Sequence, residues 1–269
     1  MKTGVSTASL FSRKYNEDAL PLLEKMGIKT VEVFLTSFSE YGYPFADVLK
    51  KAKGNLQVNS VHDLTSEFEP QLLTFHPRVR KDAFDMLGKV MESAKALGSP
   101  YYSFHGATRA KIAERMDGRD NFEKLCRSFW DICEFCKGYG VTLCLENVEW
   151  STYNRVGVFE KIAKNVPDMR GVLDIKQARL SGYPYEQYLA EMGEKIAYVH
   201  VSDVNKEGKM CLPGQGVFDF ATLIKRLKDV GFDGAFLIEV YTDNYGDEKE
   251  LKKSCDYIDE ILYKYGVKK

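Results

Sequence analysis

The chain has 269 residues, 44% of them hydrophobic and 29% charged, with 38 basic against 39 acidic side chains and a formal charge of -1. That balance excludes a disordered chain, and the absence of any apolar run near the roughly 20 residues of a bilayer crossing excludes a membrane-spanning helix. So even a charge supplies no broad basic surface for a phosphate backbone, so neither nucleic acid nor a membrane is expected as a partner.

Residues 1–6 pass directly into strand-like sequence, without the basic and apolar stretches of a secretion signal, and a cytoplasmic location is expected. Residues 3–6 read as the first strand and 17–26 as the helix behind it, closed by Gly27. Strands follow at 30–35 and 57–62, then a helix at 78–97 closed by Gly98. A strand at 101–105 leads to a helix at 122–139 closed by Gly140, and a strand at 141–147 to a helix at 159–165. Strands at 171–175 and 196–202 precede a helix at 218–230 closed by Gly231, and a strand at 235–241 precedes the last helix at 248–265. Eight strand and helix units without a linker rich in Pro, Gly or Ser predict an α/β fold, a single (β/α)8 TIM barrel over residues 1–269.

Six cysteines are few for this length, and reduced thiols are expected. Cys133 and Cys136 form a C-x-x-C inside the helical run, with no second pair at metal-site spacing, so buried thiols are the reading.

Alternate side chains of a barrel strand point inward, and the last inward one opens onto the catalytic face. By that count Glu146 ends the row Thr142, Cys144, and Asp174 follows Val172. His200 follows Ile196 and Tyr198, and Glu239 follows Ala235 and Leu237. His105 follows Tyr101 and Ser103, His62 follows Val58 and Ser60, and Glu32 takes the analogous end of the second strand. The spacings from Glu32 through His62, His105, Glu146, Asp174, His200 and Glu239 are 30, 43, 41, 28, 26 and 39 residues, about one unit each, so one polar group per strand converges. Carboxylates facing each other away from water are costly unless a cation joins them, which points to one divalent metal ion held by Glu146, Asp174, His200 and Glu239. Lys176, Lys206 and Arg109 fall in or near loops of that face as candidate anion binders. Phe34, Phe68, Trp150 and Tyr241, near strand ends, are candidate floors for a ligand pocket, with core or loop packing as the equal alternative. Pro213-Gly214-Gln215-Gly216 lacks the third glycine of a dinucleotide site and is expected to shape the loop over the site.

The ordered series Ser60-Val61-His62, Phe104-His105-Gly106, Leu145-Glu146-Asn147, Leu173-Asp174-Ile175-Lys176-Gln177-Ala178, Val199-His200-Val201-Ser202-Asp203, Pro213-Gly214-Gln215-Gly216 and Ile238-Glu239 resembles the sugar phosphate isomerase/epimerase family. That family has the xylose isomerase-like barrel and belongs with the AP endonuclease family 2 superfamily. The resemblance implies one divalent ion (manganese, zinc, magnesium or cobalt) on Glu146, Asp174, His200 and Glu239, with the two glutamates exchanging protons with a carbohydrate. His62, His105, Gln177, Glu32 and Lys206 are then the substrate-binding candidates. The family's Asp-x-x-His reads Asp174-Ile175-Lys176-Gln177 here, so a side chain that hydrogen-bonds but does not titrate replaces the histidine. An endonuclease IV-like phosphodiester hydrolase is disfavoured, since this histidine and the one after strand seven are both missing. An isomerase or epimerase of a sugar, sugar phosphate or polyol is the first expectation, with a dehydratase of the inosose type as the alternative. A barrel that only binds ligands is a further alternative, which the two retained glutamates oppose, and assembly as a homo-oligomer is left open.

Overall fold

The computed structural model describes residues 1–64 and 68–266. Eight parallel strands close into a barrel: β1 (Lys2–Ser6), β2 (Thr30–Leu35), β3 (Gln57–Asp63), β4 (Tyr101–Phe104), β5 (Thr142–Glu146), β6 (Arg170–Asp174), β7 (Ile196–Val201) and β8 (Ala235–Ile238). Sequential strands are neighbours, and β1 completes the circle by pairing with β8, Lys2 opposite Ala235 and Val5 opposite Ile238.

Two apolar layers follow from the alternation of side chains. Outward residues such as Val31, Val33 and Leu35 of β2 are fully buried beneath the helices, in the large core that also holds Leu87, Phe129 and Ile258. Each such side chain stabilises the fold by about 1.5–3 kcal/mol relative to exposure. The barrel interior is a smaller cluster of Cys144, Val172, Ala197, Tyr198, Ala235 and Leu237, with Tyr101 packed against it. Tyr101 and Tyr198 meet across it with ring centroids 5.8 Å apart.

The inward rows differ from a strict count of two at two places. Val31 pairs with Val58 and Glu32 with Ser60, so Asn59 is an extra residue and Val58 faces outward with Val31. Gly171 likewise pairs with Ile196 and Val172 with Tyr198, which makes Ala197 the extra residue and puts Ile196 in the outer core. A bulge of this kind breaks the period without disturbing the residues beyond it, so Ser60 and His62, and Tyr198 and His200, remain inward.

Between β7 and β8 the chain forms a short antiparallel hairpin, Asp203–Val204 with Met210–Cys211, that the sequence did not suggest. The Asp203 carboxylate gathers the following segment: Oδ1 accepts from the amides of Val204 and Phe218, and Oδ2 from those of Gly214 and Gly216, at 2.7–3.0 Å. A Cβ at Gly216 would lie 2.3 Å from Asp203 Oδ1, which explains the glycine. Pro213 to Gly216 thus folds onto Asp203.

Cys133 and Cys136 form no disulfide, and burial pushes Cys133 up to about 12 and Cys136 well above its ordinary value, leaving inert side chains of the helix Arg119–Lys137. Among the described residues no helix is long and apolar enough to cross a membrane.

Close approach at the β1–β2 seam supplies a stability test. A Cβ on Gly4 would stand 2.3 Å from the carbonyl oxygen of Thr30. Gly4→Ala is therefore expected to lower unfolding stability by about 1–3 kcal/mol, read from the urea midpoint at unchanged slope.

Candidate active site

Polar side chains replace the apolar inner layer toward the C-terminal ends of the strands. Glu146, the last residue of β5, is buried and engaged from three sides. Ser103 Oγ donates to its Oε2 at 3.0 Å, His105 Nε2 lies 3.0 Å from the same oxygen, and His200 Nδ1 lies 3.2 Å from Oε1. The same His200 Nδ1 is 3.1 Å from Glu239 Oε2. His200 Nε2 is 3.0 Å from Glu32 Oε1, and His62 Nδ1 is 3.7 Å from that oxygen. One imidazole from β7 therefore joins carboxylates of β2, β5 and the end of β8.

Glu32 sits deeper than its expected place at the mouth. In the β2–β3 register it pairs with Ser60, whose hydroxyl donates to Glu32 Oε2 at 2.6 Å, while Phe34 pairs with His62 and takes the rim position. Glu32 thus lies beneath the cavity and His62 on its wall.

Asp174 ends β6 and caps the helix Ile175–Leu180, its Oδ1 accepting from the Gln177 amide at 2.8 Å. Asn147 fixes the backbone at this point, Nδ2 donating to the Asp174 carbonyl and Oδ1 accepting the Asp174 amide, both at 2.8 Å. The other carboxylate oxygen of Asp174 is 3.6 Å from Lys176 Nζ, which is also 3.6 Å from Glu239 Oε1.

These groups open into a cavity of about 320 Å³ whose lining includes His62, His105, Glu146, Lys176, Gln177 and Glu239. Phe34, Trp150 and Tyr241 join Phe11 on its apolar walls. Phe68 instead packs in the core against Tyr41. Lys206 is exposed in the turn of the hairpin and is not among the residues lining this cavity. Arg109 is likewise outside it, paired with Glu149 on the surface.

A buried group behind His105 escaped the sequence reading. Tyr102 Oη lies 2.5 Å from Asp63 Oδ1 and 2.8 Å from Glu69 Oε1, and Glu69 Oε2 accepts the amides of His105 and Gly106 at 2.9 and 2.7 Å. One phenolic hydrogen cannot serve two carboxylates, and burial pushes both carboxyls upward, so a proton is retained in the group. Tyr102 is on the outward face of β4 and Glu69 lies between strands, so inward parity could not find them.

Charge decides the protonation of the cluster. Burial alone would raise Glu146, yet His200 and His105 hold it well below the usual carboxylate range. Asp174 is pushed up to about 6 by burial, with Lys176 opposing. Burial acts to lower Lys176, but Asp174 and Glu239 outweigh it and keep the ammonium charged. His62 is raised to about 9, its burial overcome by Glu32.

Residues 20–261 match the family described as xylose isomerase-like TIM barrel. The chain belongs to that family. It is 22% identical over 185 residues to fructoselysine 3-epimerase of Escherichia coli O157:H7, a stretch covering 66% of each protein. The chain spans 63 to 66% of the length of the curated relatives it matches first. Among solved structures, D-psicose 3-epimerase with D-tagatose from Clostridium cellulolyticum H10 superposes with a TM-score of 0.78 at 17% identity, covering all of both chains. The IOLI protein with a binding zinc atom superposes with a TM-score of 0.74 at 18% identity, covering 98% of this chain and 99% of that one.

The donor set of this family member fits a divalent ion on its own evidence. Glu32 Oε1, His62 Nδ1 and Nε2, His200 Nε2 and Glu239 Oε2 are buried without a hydrogen-bond partner among the described residues. Single ligand atoms of Glu146, Asp174 and His200 lie within 4.8 Å of one another, as do those of Glu32, His200 and Glu239, and those of His62, His105 and Glu146. Mixed imidazole and carboxylate donors suit zinc, manganese or cobalt.

The ion-free protein carries a pH signature. His62 titrates near 9 in the fold against an ordinary 6.5, so its pairing with Glu32 stabilises fully below about 6.5 and is lost as pH rises through about 9. Chelator-treated protein is expected to unfold at lower urea at pH 9.5 than at pH 6.5, with a smaller difference in His62→Gln. An equal or higher midpoint at pH 9.5 contradicts the pairing.

Proposed function

We propose that this chain is a metal-dependent isomerase or epimerase of a small carbohydrate, acting by proton transfer between Glu146 and Glu239. The observation that carries the reading is the convergence of these two carboxylates, from β5 and the end of β8, on His200 Nδ1 at 3.2 and 3.1 Å beside one cavity. The names of its relatives, a fructoselysine 3-epimerase and a psicose 3-epimerase, support the same class.

Glu146, Asp174, His200 and Glu239 would hold the ion, which when bound polarises a carbonyl and stabilises the enediolate that follows loss of a neighbouring proton. Glu239 is suited to remove that proton, since its side chain lines the cavity and meets the ion-holding His200 at 3.1 Å. Glu146 is suited to return one on the opposite face, drawing it across the 3.0 Å contact from His105. Gln177 lines the cavity and accepts the Glu149 amide at 3.3 Å, which leaves its NH2 to bind a substrate oxygen. Phe11, Phe34, Trp150 and Tyr241 offer apolar surface to the C–H face of a sugar or polyol.

The substrate is uncharged in this reading. Among the described residues lining the cavity the cationic side chains, Lys176 and His62, are already paired with carboxylates. A free ketose or polyol is expected to exceed its phosphate ester in kcat/KM by at least about tenfold, because a phosphate would meet no unpaired cation. A phosphorylated substrate preferred over its free form would overturn this.

The reaction is tested in deuterated water with metal-loaded protein and a panel of ketoses and polyols. Wild type should exchange a carbon-bound hydrogen while the product stays isomeric with the substrate; release of water would identify a lyase instead. Glu146→Gln is expected to lose turnover by about 10²–10⁴-fold, the usual contribution of a general acid or base. His200→Ala should lose the ion more completely than His62→Ala, and equal metal content in wild type and His200→Ala would contradict the ligand set.

A further inference from the structure

Lys176 stands in an unusual place for a lysine. It opens the first turn of the helix Ile175–Leu180, just beyond the capping carboxylate of Asp174, and is only 7% exposed. Its ammonium lies over the Tyr241 ring, with Nζ 5.1 Å from the centroid. The two carboxylates at 3.6 Å neutralise its charge but are beyond hydrogen-bond reach, and among the described residues no hydrogen bond closes on Nζ. An ammonium has three donors, and removing it from water is costly unless they are used. Lys176 lines the cavity that Glu146 and Glu239 share. A surface lysine or a loose phosphate anchor would be solvated; this one is enclosed and ion-paired, with its hydrogen-bond donors unfilled.

We propose that Lys176 is a catalytic residue whose ammonium donates to the substrate oxygen that gains negative charge. The inference rests on the proton-transfer reading above. In the step concerned, the Glu239 carboxylate takes a proton from carbon and becomes a carboxylic acid. The C–H electron pair forms the new carbon–carbon double bond, and the carbonyl π pair moves onto oxygen, against Nζ. Reprotonation on the other face uses the proton delivered through Glu146 from His105. The double-bond pair then becomes the new C–H bond and the oxygen returns to a carbonyl. Glu239 releases its proton to water and His105 regains one, so no oxidant or reductant is consumed. Lysine supplies a compact point charge on a flexible stem, whereas a guanidinium presents a planar fork, so arginine should substitute only in part.

The test compares wild type, Lys176→Met and Lys176→Arg, each loaded with Mn²⁺. Three quantities are measured: Mn²⁺ affinity by the paramagnetic resonance of free ion, affinity for glycolohydroxamate as a planar mimic of the enediolate, and deuterium exchange into D-tagatose. Lys176→Met is expected to hold Mn²⁺ at least as tightly as wild type, which also shows that the site is folded. It should bind the mimic about 100-fold more weakly and lose about 10²–10³-fold in kcat with KM changed less than about threefold, the scale of a lost oxyanion donor. Lys176→Arg should recover about tenfold of that loss. Loss of Mn²⁺ from Lys176→Met, or mimic affinity and kcat within about threefold of wild type, overturns the proposal. If wild type exchanges no hydrogen of any sugar while mimic binding still depends on Lys176, the reaction assignment fails and the oxyanion role stands.

Discussion

Four carboxylates, of Glu32, Glu146, Asp174 and Glu239, are held largely out of water around the single imidazole of His200 and the single ammonium of Lys176. Left unpaired, each would cost several kcal/mol, and the penalty would grow with mutual repulsion. The surrounding structure answers this constraint. Serine hydroxyls donate to Glu32 and Glu146, a helix begins at Asp174, and Asn147 fixes the backbone from which Asp174 projects. The unsatisfied oxygens and nitrogens that remain are those suited to a cation.

Barrel geometry explains why the cluster could be read from spacing. Inward positions recur every two residues, so the last polar residue of each strand is marked by the apolar residues before it. Glu146, Asp174, His200, Glu239, His62 and His105 were recognisable in this way, and all meet at one end of the barrel. The bulges at Asn59 and Ala197 displace only the lower rows, through Val58 and Ile196, and leave the upper ones in phase. Glu32 was recognisable as inward, but its depth depends on the stagger between neighbouring strands, which a period of two does not encode.

What sequence could not convey were relations between elements. Nothing about Lys176 and Lys206 as residue types separates them; one is enclosed by the helix that starts at Asp174, the other hangs in a hairpin turn. Glu69 and Tyr102 lie outside the inward rows, and their meeting with Asp63 follows from how the helix Glu69–Leu72 packs against β4. The two-residue strands of the hairpin are too short for any periodicity to register, and Asp203 organises them through backbone amides that no pattern of side chains announces.

The pairing of β1 with β8 bears on how the protein is made. The first strand waits for a neighbour encoded more than two hundred residues later, at Ala235–Ile238. At roughly 5–20 residues per second on the ribosome, one rim of the nascent sheet stays bare for about 10–50 s, able to template wrong partners. Release of the last helix–strand unit therefore closes the ring and ends that exposure, so a truncated or stalled product would keep an unpaired strand edge.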